Sequence, residues 1–293
     1  VLVDPLLYVA LAGGFLLGRV VRWRSVWIGR ATLATIVTLV FLLGSAFHQD
    51  SAAALSGAIL PSLVLAGLLL LLTTVAYLLL RPSLPARAPS QEKSGYRGPG
   101  SISLLLLGAL IAGGIAGYSI PWSLTGGVEY VLYLLLFLVG YEIELHISSL
   151  RTAWRPLLAA LVGALGAALL FALATEVPLP ILFATTFAFG WYTLSGPLVA
   201  ARAGAALGLF AFLTNFFREN LTMLTSPWAG RRLRGEGLTA LGGATSMDTT
   251  LWFVVHYGDP DAGGIALTSG LALSLLASLL LPVLLALPTV IIK

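Results

Sequence analysis

The chain has no cysteine and only three histidines in 293 residues. Disulfides and thiolate metal sites are therefore excluded. His48, His146 and His256 are scattered and make no ligand pair at helical spacing, so nothing calls for a metal or a cofactor. Charge is the other shortage. Asp, Glu, Lys and Arg make up 10% of the chain, against about 25% in an ordinary soluble domain. A chain so poor in charge cannot face water all round. Hydrophobic residues reach 58% and mean hydropathy is +0.98. Apolar runs of about 20 residues recur, the length that crosses a bilayer as a helix. Composition thus predicts an all-α polytopic membrane protein with the lipid bilayer as its partner. The net charge of +4 belongs to loops and bears on orientation, not on nucleic acid. The start lacks a basic n-region, which predicts no cleaved signal peptide.

Six apolar segments come first: about Leu6–Val20, Ile28–Phe47, Leu55–Leu80, Ile102–Ile120, Thr125–Tyr141 and Leu157–Ala174. A polar linker, Arg81–Gly100, holds four prolines and three glycines and separates them into two sets of three. The sets resemble one another. ALAGGFLLG (10–18) matches ALIAGGIAG (109–117), and TLVFLLG (38–44) matches YLLLFLVG (133–140), about 100 and 96 positions apart. A unit with an odd number of helices is inverted in its second copy. The expected organisation is a three-helix unit over 1–80, a cytoplasmic linker over 81–100, a second, inverted unit over 101–176 and a transport core over 177–293.

Beyond residue 176 the pattern changes. Ile181–Ala203 is interrupted by GWYTLSGP (190–197), and Gly237–Tyr257 by GGATSMDTT (242–250). Free backbone groups at membrane depth persist only in a protein interior or an aqueous cavity. These stretches read as broken spanning helices or as re-entrant hairpins. Cations decide between them. With two hairpins and eight spans, 13 of the 16 cations fall inside, in the loops after helices one, three, five and seven, and both termini lie outside. If both stretches spanned, Arg231, Arg232 and Arg234 would land outside. Eight transmembrane helices plus two hairpins, built on inverted repeats, is therefore the expected fold. Its order resembles the glutamate-transporter type of elevator carrier, and such a carrier wants a scaffold interface, so a homodimer is expected.

A polar stripe crosses the apolar run Ala205–Trp228. Asn215, Arg218, Glu219 and Thr222 recur at helical spacing on one face. An Arg or Asp at mid-bilayer costs about 2.5–3.5 kcal/mol on insertion scales. Such groups need a partner, a water-filled cavity or a task; the bland alternative is a buried ion pair that fixes packing. The two interrupted stretches supply the remaining polarity. Asp248 lies in the second, where Ser246, Asp248 and Thr249 are also good helix caps. Ser195 lies in the first, with Trp191 and Tyr192 as candidate cavity walls. Asp50, at the end of segment two, reads as a solvated loop end.

GWYTLSGPL, NFFRENL and LGGATSMDTTLWF resemble the blocks of the LysO lysine-exporter family, and the likeness runs over essentially the whole chain. That resemblance implies an inner-membrane exporter of L-lysine with both termini outside. It also implies transport-critical acidic residues in the membrane, carried over here to Asp50 and Glu219.

The resulting expectation is a secondary exporter of lysine or a close cationic amino acid, driven by proton antiport. Glu219 would bind a proton or the substrate ammonium, and the two would compete. Arg218 would hold the substrate carboxylate or neutralise Asp248. Ser195, Thr245 and Ser246, with backbone N–H groups at the tips, would complete the carboxylate site. Sodium coupling is the alternative within transporters, since Asp248, Asn215 and unwound carbonyls are hard oxygen ligands. Enzyme readings fare badly. Ser195 or Ser246 has only His256 as a base, GxSxG is absent, and Asp248 lacks the GxGD setting of an intramembrane aspartyl protease. A receptor or structural role would leave the polar tips replaceable.

Overall fold

The computed structural model describes residues 5–21, 26–45, 51–81, 100–119, 127–142, 150–258 and 262–288. Every regular element among them is helical. The helices are α1 (Pro5–Val21), α2 (Val26–Ser45), α3 (Ser51–Leu80), α4 (Gly100–Ser119), α5 (Val128–Glu142), α6 (Leu150–Ala172), α7 (Leu179–Thr186), α8 (Tyr192–Ala203), α9 (Ala205–Gly242), α10 (Leu251–Tyr257) and α11 (Ala262–Ala286), with a 3-10 turn over Gly243–Met247. Within α3, α6 and α11, Gly57–Leu80, Ala153–Ala172 and Ala262–Ala286 are long and apolar enough to cross a membrane. Their outer faces are greasy: Leu60 and Leu79 of α3, Leu170 of α6 and Leu279 of α11 are all exposed.

Helix pairing follows the small residues. α1 packs along α5, α2 along α4, and α3 along both α6 and α9. A Cβ on Gly14 would lie 1.9 Å from the Phe137 carbonyl oxygen, and one on Gly113 would lie 2.0 Å from that of Phe41. Backbone can come this close only where no side chain intervenes. Gly13-Gly14 and Gly113-Gly114 are the matched glycine pairs of the two units, and Phe41 and Phe137 are the matched phenylalanines. Each glycine pair therefore packs on the phenylalanine turn of the opposite unit. At the α3–α6 crossing, Gly163 admits the backbone of Thr73. The main core gathers Leu65 and Leu69 of α3, the alanine stripe of α6 (Ala160, Ala164, Ala167), Leu182 of α7 and Leu273, Ala277 and Leu281 of α11.

Residues 177–258 fold around α9. Arg234 interrupts that helix with φ +58°, so an outer part ends near Leu233 and an inner part runs from Gly235 to Gly242. The outer part rises roughly 43 Å at about 1.5 Å per residue. The inner part and α10 are one of eight and one of seven residues, each too short for a hydrocarbon core about 30 Å thick. They reverse at 243–250. The chain returns to where it left, because a Cβ on Gly258 would lie 2.5 Å from the Gly235 Cα. α7 and α8 likewise reverse, over 187–191.

Three boundaries differ from the sequence reading. The first break lies at 187–191, ahead of TLSGP, which is helical with Pro197 inside α8. The stretch holds two glycines, Gly190 before that block and Gly196 within it, and it is Gly190, at φ +99°, that takes the left-handed conformation. The basic stretch Arg231–Arg234 is not a loop but a one-residue break in α9, consistent with the good helix propensity of arginine. Arg151 and Arg155 belong to the first turns of α6, which begins at Leu150 instead of Leu157. Asp50 lies outside the described residues.

Candidate functional site

The buried polar groups converge where the two reversals meet α9. One backbone bond joins the reversals directly: Ala244 N–H donates to the Phe189 carbonyl at 2.9 Å. Phe189 holds φ +54°, a conformation an aromatic residue adopts only under constraint from its surroundings. Gly243 makes the approach possible. At φ +65° it sits so close that an added Cβ would be 2.4 Å from the Phe189 oxygen and 2.8 Å from Arg218 Nη2. Both breaks and the polar stripe thus share one small volume.

On α9 the stripe is fully buried. Thr214, Asn215, Arg218, Glu219, Thr222 and Ser226 are each at most 1% exposed. Asn215 is consumed by the fold. Its Oδ1 accepts from Gly190 N–H at 2.9 Å, and its Nδ2 reaches the Thr185 carbonyl (2.8 Å), the Ala211 carbonyl (3.0 Å) and Ser195 Oγ (3.2 Å). It ties the first reversal to α9. Thr245 donates to the Gly242 carbonyl, and Ser246 is within hydrogen-bond reach of the Gly243 and Ala266 carbonyls. The hydroxyl protons of Thr245 and Ser246 thus serve the second reversal itself.

Arg218 and Glu219 are different. Arg218 Nη2 lies 3.4 Å from the Ala240 carbonyl, while Nε and Nη1 have no partner. Neither oxygen of the Glu219 carboxylate has a partner in good hydrogen-bond geometry, though the Thr249 and Tyr192 hydroxyls lie close to it. Consecutive residues on a helix point about 100° apart, so the two side chains diverge. Arg218 turns toward the Ala240–Gly243 bend. Glu219 faces Asp248 and the hydroxyls of Thr249 and Tyr192. Arg218 forms no ion pair with Glu219 or Asp248 among the described residues. An uncompensated buried charge costs several kcal/mol, so a folded chain that keeps two of them unpaired at one place has a use for them.

Asp248 completes the group. Its Oδ1 accepts from the Thr249 N–H and, at 3.3 Å, from the Thr249 hydroxyl. It does not cap α10, whose N-cap is Thr250 with no side-chain cap bond. The reason is local: at φ −136°, ψ −90° the carboxylate folds back on the next residue instead of reaching the first helical N–H groups. Asp248 is hemmed in by protein yet exposed, so it lines a recess in the protein surface. Tyr192 is 5% exposed and stacks edge-on against Phe212 and Phe216 at 5.2 and 5.7 Å, which anchors its ring beside the recess.

Of the residues named from the sequence, Glu219, Asp248 and Tyr192 come together at the recess, whereas Arg218 turns toward the Ala240–Gly243 bend. Asn215, Ser195, Thr245 and Ser246 surround it, bonded into its walls. Thr249, a cap candidate by sequence, stands instead between the two carboxylates. Glu236 is a residue that sequence reasoning misses. It pairs with Arg155 at 3.7 Å and links α6 to the inner part of α9; its one signal is being an acid in a basic stretch.

Residues 107–285 match the family model of the lysine exporter LysO. The lysine exporter LysO of Escherichia coli is 32% identical over 259 residues, covering 84% of this chain and 86% of that protein. This chain belongs to the lysine exporter LysO family. A Haemophilus influenzae protein carrying a provisional lysine-exporter name is 29% identical over 185 residues, covering 60% of this chain and 94% of its own length. No solved structure matches. Family membership and the apolar membrane-length helices together make the chain a multi-pass membrane protein of an exporter family, which agrees with the absence of an enzyme signature.

Proposed function

We propose that this LysO-family chain is a secondary exporter of L-lysine driven by proton entry, with its site in the recess between the two reversals and α9. The observation that carries the reading is Glu219: a carboxylate 1% exposed, with neither oxygen in a good hydrogen bond, facing the recess. A proton or a substrate ammonium satisfies it equally, and each excludes the other. That exclusion is the minimal requirement of an antiporter. Arg218, whose Nε and Nη1 have no partner, supplies the complementary charge for the substrate carboxylate.

The same reading treats the two reversals as re-entrant hairpins at membrane depth, with eight spans, both termini outside the inner membrane and a homodimeric scaffold. The short arms, too short to cross alone, support re-entry. The reciprocal contacts of Gly14 with Phe137 and of Gly113 with Phe41 support inverted units. Exchanging each helix for its counterpart in the other unit turns the α1–α5 pair into the α4–α2 pair and leaves α3–α6 unchanged.

The test uses purified protein in liposomes with labelled lysine inside. An acidic exterior is expected to accelerate lysine efflux with or without sodium, and Glu219→Gln is expected to abolish the response to the gradient. Efflux that needs sodium would move the coupling ion to the oxygen ligands of the second reversal. Full proton-driven efflux by Glu219→Gln would remove Glu219 from the mechanism.

A further inference from the structure

We propose that the ends of α3 and of the outer part of α9 form a binding site for an anionic phospholipid. Arg81, Arg231 and Arg232 hold its phosphate, and its chains lie along the apolar stripes that lead up to them. The site lies apart from the recess and does not depend on which solute is carried.

Two helices of like direction build it. Ser62 Oγ lies 3.2 Å from the Phe210 carbonyl toward one end of the α3–α9 pair, and Arg81 Nη1 donates to the Arg232 carbonyl at 2.7 Å at the other. α3 and the outer part of α9 therefore run parallel and finish together. Their last turns carry one pattern. On α9, Leu224, Trp228, Arg231 and Arg232 are exposed, while Thr222, Ser226, Gly230 and Leu233 are buried. The exposed four follow the spacing i, i+4, i+7, i+8 and share about 100° of arc. On α3, Leu71, Val75, Leu78 and Leu79 are exposed at that same spacing, and Arg81 follows. Each helix thus ends as an apolar stripe capped by arginine. At about 1.5 Å per residue, Leu224 lies ~10 Å before Arg231 along the axis, as an acyl chain lies beneath its headgroup.

Charge selects the occupant. Arg155 already engages Glu236, the next acid along α9, at 3.7 Å. Arg231 and Arg232 project outward, beside the Arg81 that reaches over from α3. Guanidinium groups match phosphate oxygens two at a time and are less strongly hydrated than an ammonium. Trp228 stands one turn before them, where an exposed indole sits at headgroup level. In a chain with membrane-length helices, arginines so placed meet lipid headgroups and favour anionic ones. A soluble phosphate would use the arginines and leave the stripes without a role. The lipid also has a place in the fold. The break at Arg234 comes two residues after Arg232, so a phosphate shared by Arg81 and Arg232 ties α3 to α9 just before the chain enters the second reversal.

The experiment follows thermal unfolding of the detergent-purified full chain during titration with phosphatidylglycerol, phosphatidylcholine or inorganic phosphate. Phosphatidylglycerol is expected to raise the midpoint saturably, and the other two to leave it in place. In Arg231→Gln/Arg232→Gln, half-saturation should need about fivefold more phosphatidylglycerol for each charge removed. Arg19→Gln/Arg30→Gln takes the same charge from exposed arginines of α1 and α2 and should respond as the wild-type chain does. Equal weakening by both double variants would reduce the effect to net charge and overturn the site. A midpoint raised as much by phosphatidylcholine or by inorganic phosphate would overturn it too. One measurement needs no variant and covers the case of one that fails to fold. After exchange of the wild-type chain into lipid-free detergent, phosphatidylglycerol should stay bound and phosphatidylcholine should not; loss of both rejects the proposal. None of these readings involves lysine flux, so the exporter reading stands or falls by its own assay.

Discussion

Asn215 and Glu219 sit one helical turn apart on α9, equally buried, and do opposite things. Asn215 bonds in all directions, and Glu219 has no partner in good hydrogen-bond geometry. Removing the first should therefore cost stability, and neutralising the second should cost transport. Asn215→Ala strands the Gly190 N–H and the Thr185 carbonyl. It is expected to destabilise by about 1–3 kcal/mol per group left unsatisfied, read as a lower unfolding midpoint of the detergent-purified chain. Glu219→Gln, which keeps size and shape, is expected to leave that midpoint near or above the wild-type value. The difference was not legible in the sequence. Helical spacing put both residues on one face, but which polar group is bonded depends on Gly190 and Ser195, which only the tertiary fold brings there. Composition and spacing did reveal that the stripe mattered, since four polar residues in so apolar a run are too costly to keep without a role.

The reversals depend on a few backbone positions. Gly243 satisfies two demands at once, a positive φ and room for Phe189 and Arg218. An alanine there loses roughly 1–2 kcal/mol to the left-handed conformation alone and also pushes on both neighbours. Gly243→Ala is expected to lower the unfolding midpoint and to depress lysine flux together; unchanged flux would mean that the second reversal need not dock as described. Glycine-rich blocks in the middle of apolar stretches announced both interruptions. They did not locate the first break, because Gly190 and Gly196 were equivalent as letters and only the fold assigned the positive φ to Gly190. The break at Arg234 was hidden for a related reason. A non-glycine residue at φ +58° leaves no mark in a sequence, although the glycine beside it, Gly235, offered a hint.

At the scale of the whole molecule, the outer part of α9 connects the two reversals and is long enough to cross a bilayer. Its ends should therefore lie on opposite sides. The native chain has no cysteine, so single replacements at the exposed Ala201 and Arg231 report this directly. In intact cells a membrane-impermeant maleimide is expected to label Ala201→Cys and to spare Arg231→Cys until the membrane is opened. Labelling of both from outside would rule out the eight-span arrangement. The expected orientation rests on 13 cations read as four loops in the sequence, of which Arg151, Arg155 and Arg231–Arg234 lie within helices α6 and α9. The expected repeat came from Gly-Gly and Phe recurring about 100 and 96 positions apart; that Gly14 packs on Phe137 and Gly113 on Phe41 was not legible. The contact between the reversals has a further consequence for how such a sequence can drift. Ala244 N–H and the Phe189 carbonyl are both main-chain groups. Neither side chain takes part in that bond, so what limits exchange at 189 and 244 is the packing of two buried side chains and the bar on proline at 244, which has no N–H to give. The join between the two reversals is thus made by backbone groups. Because Ala244 is only 2% exposed, mutational scanning should find position 244 open to small residues alone, beside a Gly243 that accepts nothing else.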